Sequence, residues 1–149
     1  ITCLHTNAGE YRPCEVSVGT HQPPMSYRVE SLMDDFINSV NRRWETADPV
    51  FLATYVLWRL NHIHPFINGN GRTARAACYF VLCLKAGGLL PGRITLPELI
   101  LNRRGEYCDA LALIDKTVIE GAPDFKPLHS LLSELLQQQL ASAEETAPD

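Results

Sequence analysis

No stretch of this chain approaches the roughly 20 consecutive apolar residues that a membrane-crossing helix needs. The opening ITCLHTNAGE lacks the basic start and apolar run of a secretory leader. Cysteine is sparse and unpaired in spacing. Cys3, Cys14, Cys78, Cys83 and Cys108 are odd in number and form no CxxC pair, which excludes a disulfide framework or zinc ribbon and favours free thiols in a reducing cytoplasm. Positive charge is not in excess either. A net charge of −4 argues against a general nucleic-acid binder. What is present is 46% apolar and 20% charged residues in 149 positions, the make-up of a globular chain long enough for one compact domain and too short for two.

The charge is unevenly placed. Between Arg72 and Arg104 stand six basic residues (Arg72, Arg75, Lys85, Arg93, Arg103, Arg104) and one acid, Glu98, whereas residues 120–149 hold six acids and one base. A local positive field of this kind attracts a small anion. Solvated arginines on helix surfaces would give the same count.

Hydrophobic spacing predicts helices. Val29, Leu32, Met33, Phe36, Ile37 and Val40 fall on one helical face from Ser26 onward. Asp48-Pro49 is a helix start, and the following VFLATYVLWRLNHI is apolar almost all round, as in the buried centre of a bundle. His64-Pro65 ends it. A second apolar helix is expected from about Arg72 to Ala86, closed by Gly87-Gly88. Thr95-Leu-Pro-Glu98 reads as a capping box opening another helix, broken at Gly105 before a further one from about Glu106 to Ile119. The last runs from about Lys126 to Ala141 on a face of Leu128, Leu131, Leu132, Leu135 and Leu136. Ahead of these, Val16 and Val18 alternate and Pro23-Pro24 ends the segment, which predicts a short β-hairpin or extended arm. The expected class is all-α with a small β element near the start.

Chemistry concentrates between the two most apolar helices, in HPFINGNGRTAR. Gly69, Asn70 and Gly71 supply flexible backbone just before a helix, a nest of N–H groups reinforced by the helix dipole. Arg72 and Arg75 lie three apart at that positive end, where cations are unfavourable unless an anion sits between them. The arrangement implies a phosphate chain held by guanidinium groups. His64, eight residues before Arg72, is placed to take a proton from an attacking hydroxyl. Phe66 is expected to anchor the loop to the core. His62 and His64 have no partners at metal-ligand spacing, which argues against a zinc hydrolase.

HPFINGNGRTAR resembles the signature of Fic-domain proteins, HPFx(D/E)GNGRxxR, at His64, Pro65, Phe66, Gly69, Asn70, Gly71, Arg72 and Arg75. YRPCEVSVGTHQPP resembles the family's flap and LNRRGEYCDAL its nucleotide-flanking region, so the likeness covers about Glu10 to Lys116. The resemblance implies a Fic-type helical bundle over residues 1–149, with a flap at about 10–25, core helices at about 26–143 and a frayed tail at 144–149. It implies AMP transfer from ATP to a Ser, Thr or Tyr hydroxyl of a target protein, with His64 as general base. Gly69, Asn70, Gly71, Arg72 and Arg75 would bind the phosphates, and Tyr107 and Asp115 would lie near the adenine. The flap residues Val16, Ser17, Val18, Gly19 and Thr20 would align the target's backbone by strand-like pairing.

One position departs from the pattern. Asn68 stands where the family carries the Asp or Glu that binds Mg²⁺ (or Mn²⁺), and a hard cation prefers charged oxygen ligands. Either the nucleotide's phosphates carry the metal, or transfer is weak or altered. Two alternatives follow: transfer of another phosphate-containing group, and a nucleotide-binding or interaction module with negligible turnover. The family's inhibitory [S/T]xxxE[G/N] segment has no full match. Thr6–Glu10, Ser26–Glu30 and Ser130–Glu134 fit only its first part, which leaves room for a separate antitoxin-like partner. A bacterial cytoplasmic setting, or delivery into a host cell, follows from the family alone, and neither membrane nor nucleic acid is an expected partner.

Overall fold

The computed structural model describes residues 8–144, and expectations resting on residues 1–7 or 145–149 lie outside it. A 3-10 turn (Ser26–Arg28) leads into α1 (Val29–Arg43), followed by α2 (Pro49–Ile63), α3 (Asn70–Ala86), α4 (Leu96–Asn102), α5 (Arg104–Ile119) and α6 (Lys126–Glu144). The all-α expectation holds.

Helix α2 is the axis of the bundle. Asp48 caps it by accepting from the Phe51 N–H at 2.8 Å, with Pro49 in the first helical position. Leu52, Ala53, Val56, Leu57, Trp58, Leu60 and Ile63 are all buried, so three sides of α2 are covered. Helix α3 packs along it, and α1, α5 and α6 close the remaining faces. Burial of a side chain such as Leu52, Leu57 or Ile63 contributes about 1.5–3 kcal/mol each. Helix α6 delivers Leu128, Leu131, Leu132 and Leu135 to the same core.

Three local expectations are corrected. Residues 10–25 form no hairpin. Val18 and His21 exchange one pair of backbone hydrogen bonds (3.1 and 2.9 Å) across Gly19-Thr20, and that isolated rung is the whole β element among the described residues. Pro13, Pro23 and Pro24 have no N–H to continue the ladder, and Arg12 takes up the carbonyls of Cys14 and Pro24.

The Thr95–Glu98 capping box does not form. Thr95 makes no side-chain cap, and the Leu96 N–H donates instead to Gln139 Oε1 of α6 at 2.6 Å. Gln139 is 1% exposed and also donates to the Leu90 and Pro91 carbonyls and the Tyr79 hydroxyl. Gly92 (φ +128°) lies against it, where a Cβ would collide with the Gln139 carbonyl oxygen.

The break between α4 and α5 falls at Arg103 (φ −111°, ψ 40°), and Gly105 is helical. Arg103 bridges Glu106 and, at 2.6 Å, Glu134. Within Ser130–Glu134, then, Glu134 pairs with Arg103, and its neighbours Leu131, Leu132 and Leu135 are core residues.

Candidate active site

The C-terminus of α2 and the N-terminus of α3 are joined by residues 64–69, and every chemically promising side chain of the motif hangs on that junction. His64 ends α2 in a left-handed conformation (φ 52°, ψ 59°), alone among the described non-glycine residues in having positive φ. Such a backbone costs roughly 1–3 kcal/mol and must be held by its surroundings. Its N–H donates to Leu60, and its carbonyl accepts from Arg12 Nε at 2.8 Å.

Arg12 is the residue that sequence reading missed. It is 2% exposed, and its guanidinium donates to the carbonyls of His64, Cys14 (3.0 Å) and Pro24. Its own N–H donates to the Pro65 carbonyl at 2.8 Å. One side chain thus ties both ends of the N-terminal arm, at Cys14 and Pro24, to the end of α2. No periodicity marks an arginine in a polar segment as buried.

The His64 ring is half-buried, and its Nδ1–H donates to the Asn61 carbonyl at 3.3 Å. A carbonyl only accepts, so the proton belongs on Nδ1 and the basic lone pair on Nε2. Burial pushes the imidazole pKa below its ordinary value, and the nearby His21 and Arg12 charges act the same way. The ring is therefore a neutral acceptor near neutral pH.

Asn70, 3% exposed, closes the loop. Its Oδ1 accepts from the Phe66 N–H at 2.8 Å and its Nδ2 donates to the Phe66 carbonyl at 2.7 Å. The pinning expected of the Phe66 ring is done by this amide. The ring itself is half-buried and meets Tyr11 of the N-terminal arm, centroids 6.2 Å apart. Gly69 (φ +82°) begins α3, and the first helical hydrogen bond runs from Thr73 to its carbonyl. The N–H groups of Asn70, Gly71 and Arg72 precede that bond and form the positive end of the helix. A Cβ on Gly69 would lie 3.5 Å from an Arg72 guanidinium nitrogen, and one on Gly71 3.3 Å from Arg75 Nη1. Both guanidiniums therefore fold back over the glycine backbone at the helix start. Arg72 and Arg75 line a hollow of about 550 Å³ with Tyr79, Phe80 and Leu101. Gly69, Arg72 and Thr73 line an adjoining one of about 600 Å³.

Residues 2–82, more than half of the chain, match the sequence model of the Fic/DOC family. The chain belongs to the Fic/DOC family. It is 44% identical over 68 residues to "Protein adenylyltransferase Fic" of Drosophila persimilis, covering 45% of this chain and 13% of that protein. The Drosophila grimshawi protein of the same name is 43% identical over 135 residues, 89% of this chain and 25% of that one. This Fic chain therefore spans a quarter or less of these curated relatives. Among solved structures, a Fic family protein from Desulfovibrio desulfuricans G20 superposes with a TM-score of 0.77 at 24% identity, over 96% of this chain and 43% of that one. Fic-1 of C. elegans gives 0.70 at 23%, over 95% and 39%. These two likenesses establish the fold.

The Fic motif residues His64, Phe66, Asn68, Gly69, Asn70, Gly71, Arg72 and Arg75 thus share one junction. Tyr107 and Asp115 both belong to α5. Tyr107 is buried, and its hydroxyl accepts from Asn61 Nδ2 at 2.8 Å. Burial pushes its pKa up to about 12, against the nearby Arg75 charge. Asp115 accepts from Trp58 Nε1 at 2.9 Å beside His62 and His21. Burial raises its pKa, but these three hydrogen bonds outweigh it and hold the carboxyl well below its usual range. His62 thus has metal-capable partners after all, supplied 41 and 53 positions away, beyond the reach of any local spacing rule. Ser17, Val18, Gly19 and Thr20 are exposed around the rung, with Val16 half-buried.

The loop does not fit a Mg²⁺ ion held by the protein. Asn68 offers one neutral oxygen, and that Oδ1 already accepts from the Gly69 N–H at 2.6 Å, whereas a hard cation favours carboxylates.

Proposed function

We propose that this Fic domain transfers AMP from ATP to the hydroxyl of a Ser, Thr or Tyr on a target protein. The observation that carries the reading is the pair of guanidiniums, Arg72 and Arg75, folded over Gly69 and Gly71 at the positive end of α3. An anionic phosphate chain relieves the like-charge crowding of two arginines and a helix N-terminus, and the curated relatives' name supplies the reaction class.

In this reading the N–H groups of Asn70, Gly71 and Arg72 receive the inner phosphates and the two arginines the outer ones. His64 Nε2 accepts the proton of the target hydroxyl. The hydroxyl oxygen forms a bond to the α-phosphorus, the bond from that phosphorus to the β-bridging oxygen breaks, and pyrophosphate leaves. Positioning and charge stabilisation carry most of the rate, with little covalent work for the protein. The flap residues Val16 to Thr20, all exposed but Val16, would align the target's backbone by strand-like docking beside the rung. A reducing compartment accords with the free thiols of Cys14, Cys78, Cys83 and Cys108.

Asn68 favours a second reading, a domain that binds nucleotide with little turnover. Label transfer from α-labelled ATP in the presence of Mg²⁺, with lysate as acceptor, separates the two. Transfer by the wild type that disappears in His64→Ala supports the transferase. Transfer seen only with Asn68→Asp supports the second reading. Label from γ- but not α-labelled ATP overturns AMP transfer.

A further inference from the structure

The geometry points to a transition-metal site of the zinc class formed by His21, His62 and Asp115. It is separate from the phosphate clamp and does not depend on the proposed transfer reaction.

The three residues come from the flap turn, the last turn of α2 and the C-terminal half of α5. One donor atom from each lies within 4.8 Å of the other two. His62 Nδ1 is 2.7 Å from Asp115 Oδ1, and His21 Nδ1 is 3.2 Å from Asp115 Oδ2. A tetrahedral ion with bonds of about 2.0 Å sets its donors about 3.3 Å apart, so small side-chain rotations complete the set. Two imidazoles and one carboxylate suit Zn²⁺ or Co²⁺ rather than Mg²⁺.

The outer hydrogen bonds are those a ligand set requires. His21 Nε2 lies 3.0 Å from the His62 carbonyl, which can only accept. The proton is therefore fixed on Nε2, and Nδ1 faces the cluster. Trp58 Nε1–H holds Asp115 Oδ1, orienting the carboxylate as the partners of metal-bound carboxylates do. The side chains are about one-fifth exposed (20–22%), so an ion can enter from solvent. A cavity of about 350 Å³, lined by Thr20, His21, Gln22, His62, Asp115 and Lys116 among others, leaves room for a water as fourth ligand. A bound ion would fasten the Gly19-Thr20 turn to α2 and α5 at once. Without metal, hydrogen bonds from His62 and Trp58 and the contact with His21 hold the Asp115 carboxylate in the same place.

Cobalt titration of chelator-treated protein, followed by visible d–d absorption, tests the site. The expected result is one equivalent of Co²⁺ with a spectrum lacking thiolate bands, displaced by Zn²⁺. Affinity should fall by more than about tenfold in His21→Ala and in Asp115→Asn and stay unchanged in His129→Ala, a histidine of α6 outside the cluster. Far-UV circular dichroism checks folding. His21→Ala, on an exposed turn, decides the matter if Asp115→Asn fails to fold. Absence of stoichiometric Co²⁺ binding, or wild-type affinity in folded His21→Ala, overturns the proposal and leaves only a hydrogen-bonded cluster.

Discussion

Replacing Arg12 by methionine keeps an apolar stem of similar length and deletes every guanidinium donor. The carbonyls of His64, Cys14 and Pro24 then lose a charged partner at hydrogen-bond distance. A buried acceptor stripped of its partner costs about 1–3 kcal/mol. Two of the three lie on the N-terminal arm, where water can re-enter and recover part of the loss. The expected destabilisation is about 3–5 kcal/mol, a large share of the roughly 5–15 kcal/mol that holds a domain folded. With a urea slope of about 1–3 kcal/mol per molar, the unfolding midpoint should drop by about 1–3 M. Intrinsic fluorescence of Trp44 and Trp58 reports the transition. Arg12→Lys should fall between the two, since an ammonium reaches fewer of these carbonyls at once. A loss below about 1 kcal/mol in Arg12→Met would refute the idea that this side chain holds His64 in its left-handed turn.

Asn70→Ala removes both bonds to the Phe66 backbone and should cost about 1–3 kcal/mol of stability, with a fall in any transfer rate, read by urea unfolding and by label transfer. Gly71→Ala places a Cβ 3.3 Å from Arg75 Nη1. It should weaken ATP binding about tenfold by displacing one charged contact while changing the unfolding midpoint little, as calorimetric titration beside a urea curve would reveal. For His64, burial lowers the folded pKa below the ordinary 6.5, so the neutral base persists to lower pH. The acid limb of a transfer-rate profile should fall below pH 6.5, and the ring's contribution to stability, present above 6.5, should be lost as pH drops. An acid limb centred above 6.5 would contradict this.

The parts legible in the sequence were those written in contiguous letters. Asp48-Pro49, the all-round apolar run after it and the His64-Pro65 stop fix α2 within a residue or two. The spacing of Gly69, Gly71, Arg72 and Arg75 anticipated guanidiniums gathered at a helix start, although α3 begins at Asn70, two residues early. Illegible were partnerships made across the fold. The Glu98 N–H that a capping box would use goes to the Thr95 carbonyl, and the Leu96 N–H finds Gln139, 43 residues away. Val16 and Val18 alternate like a strand, but prolines and Arg12 consume the backbone groups a ladder needs. The partners of Asp115, two histidines and a tryptophan 53 to 94 positions away, are likewise invisible to local spacing.

The hydrogen bonds of Gln139 also bear on where this unit can be cut. The family match ends at residue 82, yet the segment leaving α3 is bound through Leu90, Pro91 and Leu96 to a glutamine 43 to 49 positions later. Excising the matched region would strip α5 and α6 from α2 and open the core to which α6 contributes Leu128, Leu131, Leu132 and Leu135. The minimal heritable piece of this architecture therefore extends well beyond its recognisable motif. A shuffled or transplanted version must carry α6 at least to Gln139 to arrive folded.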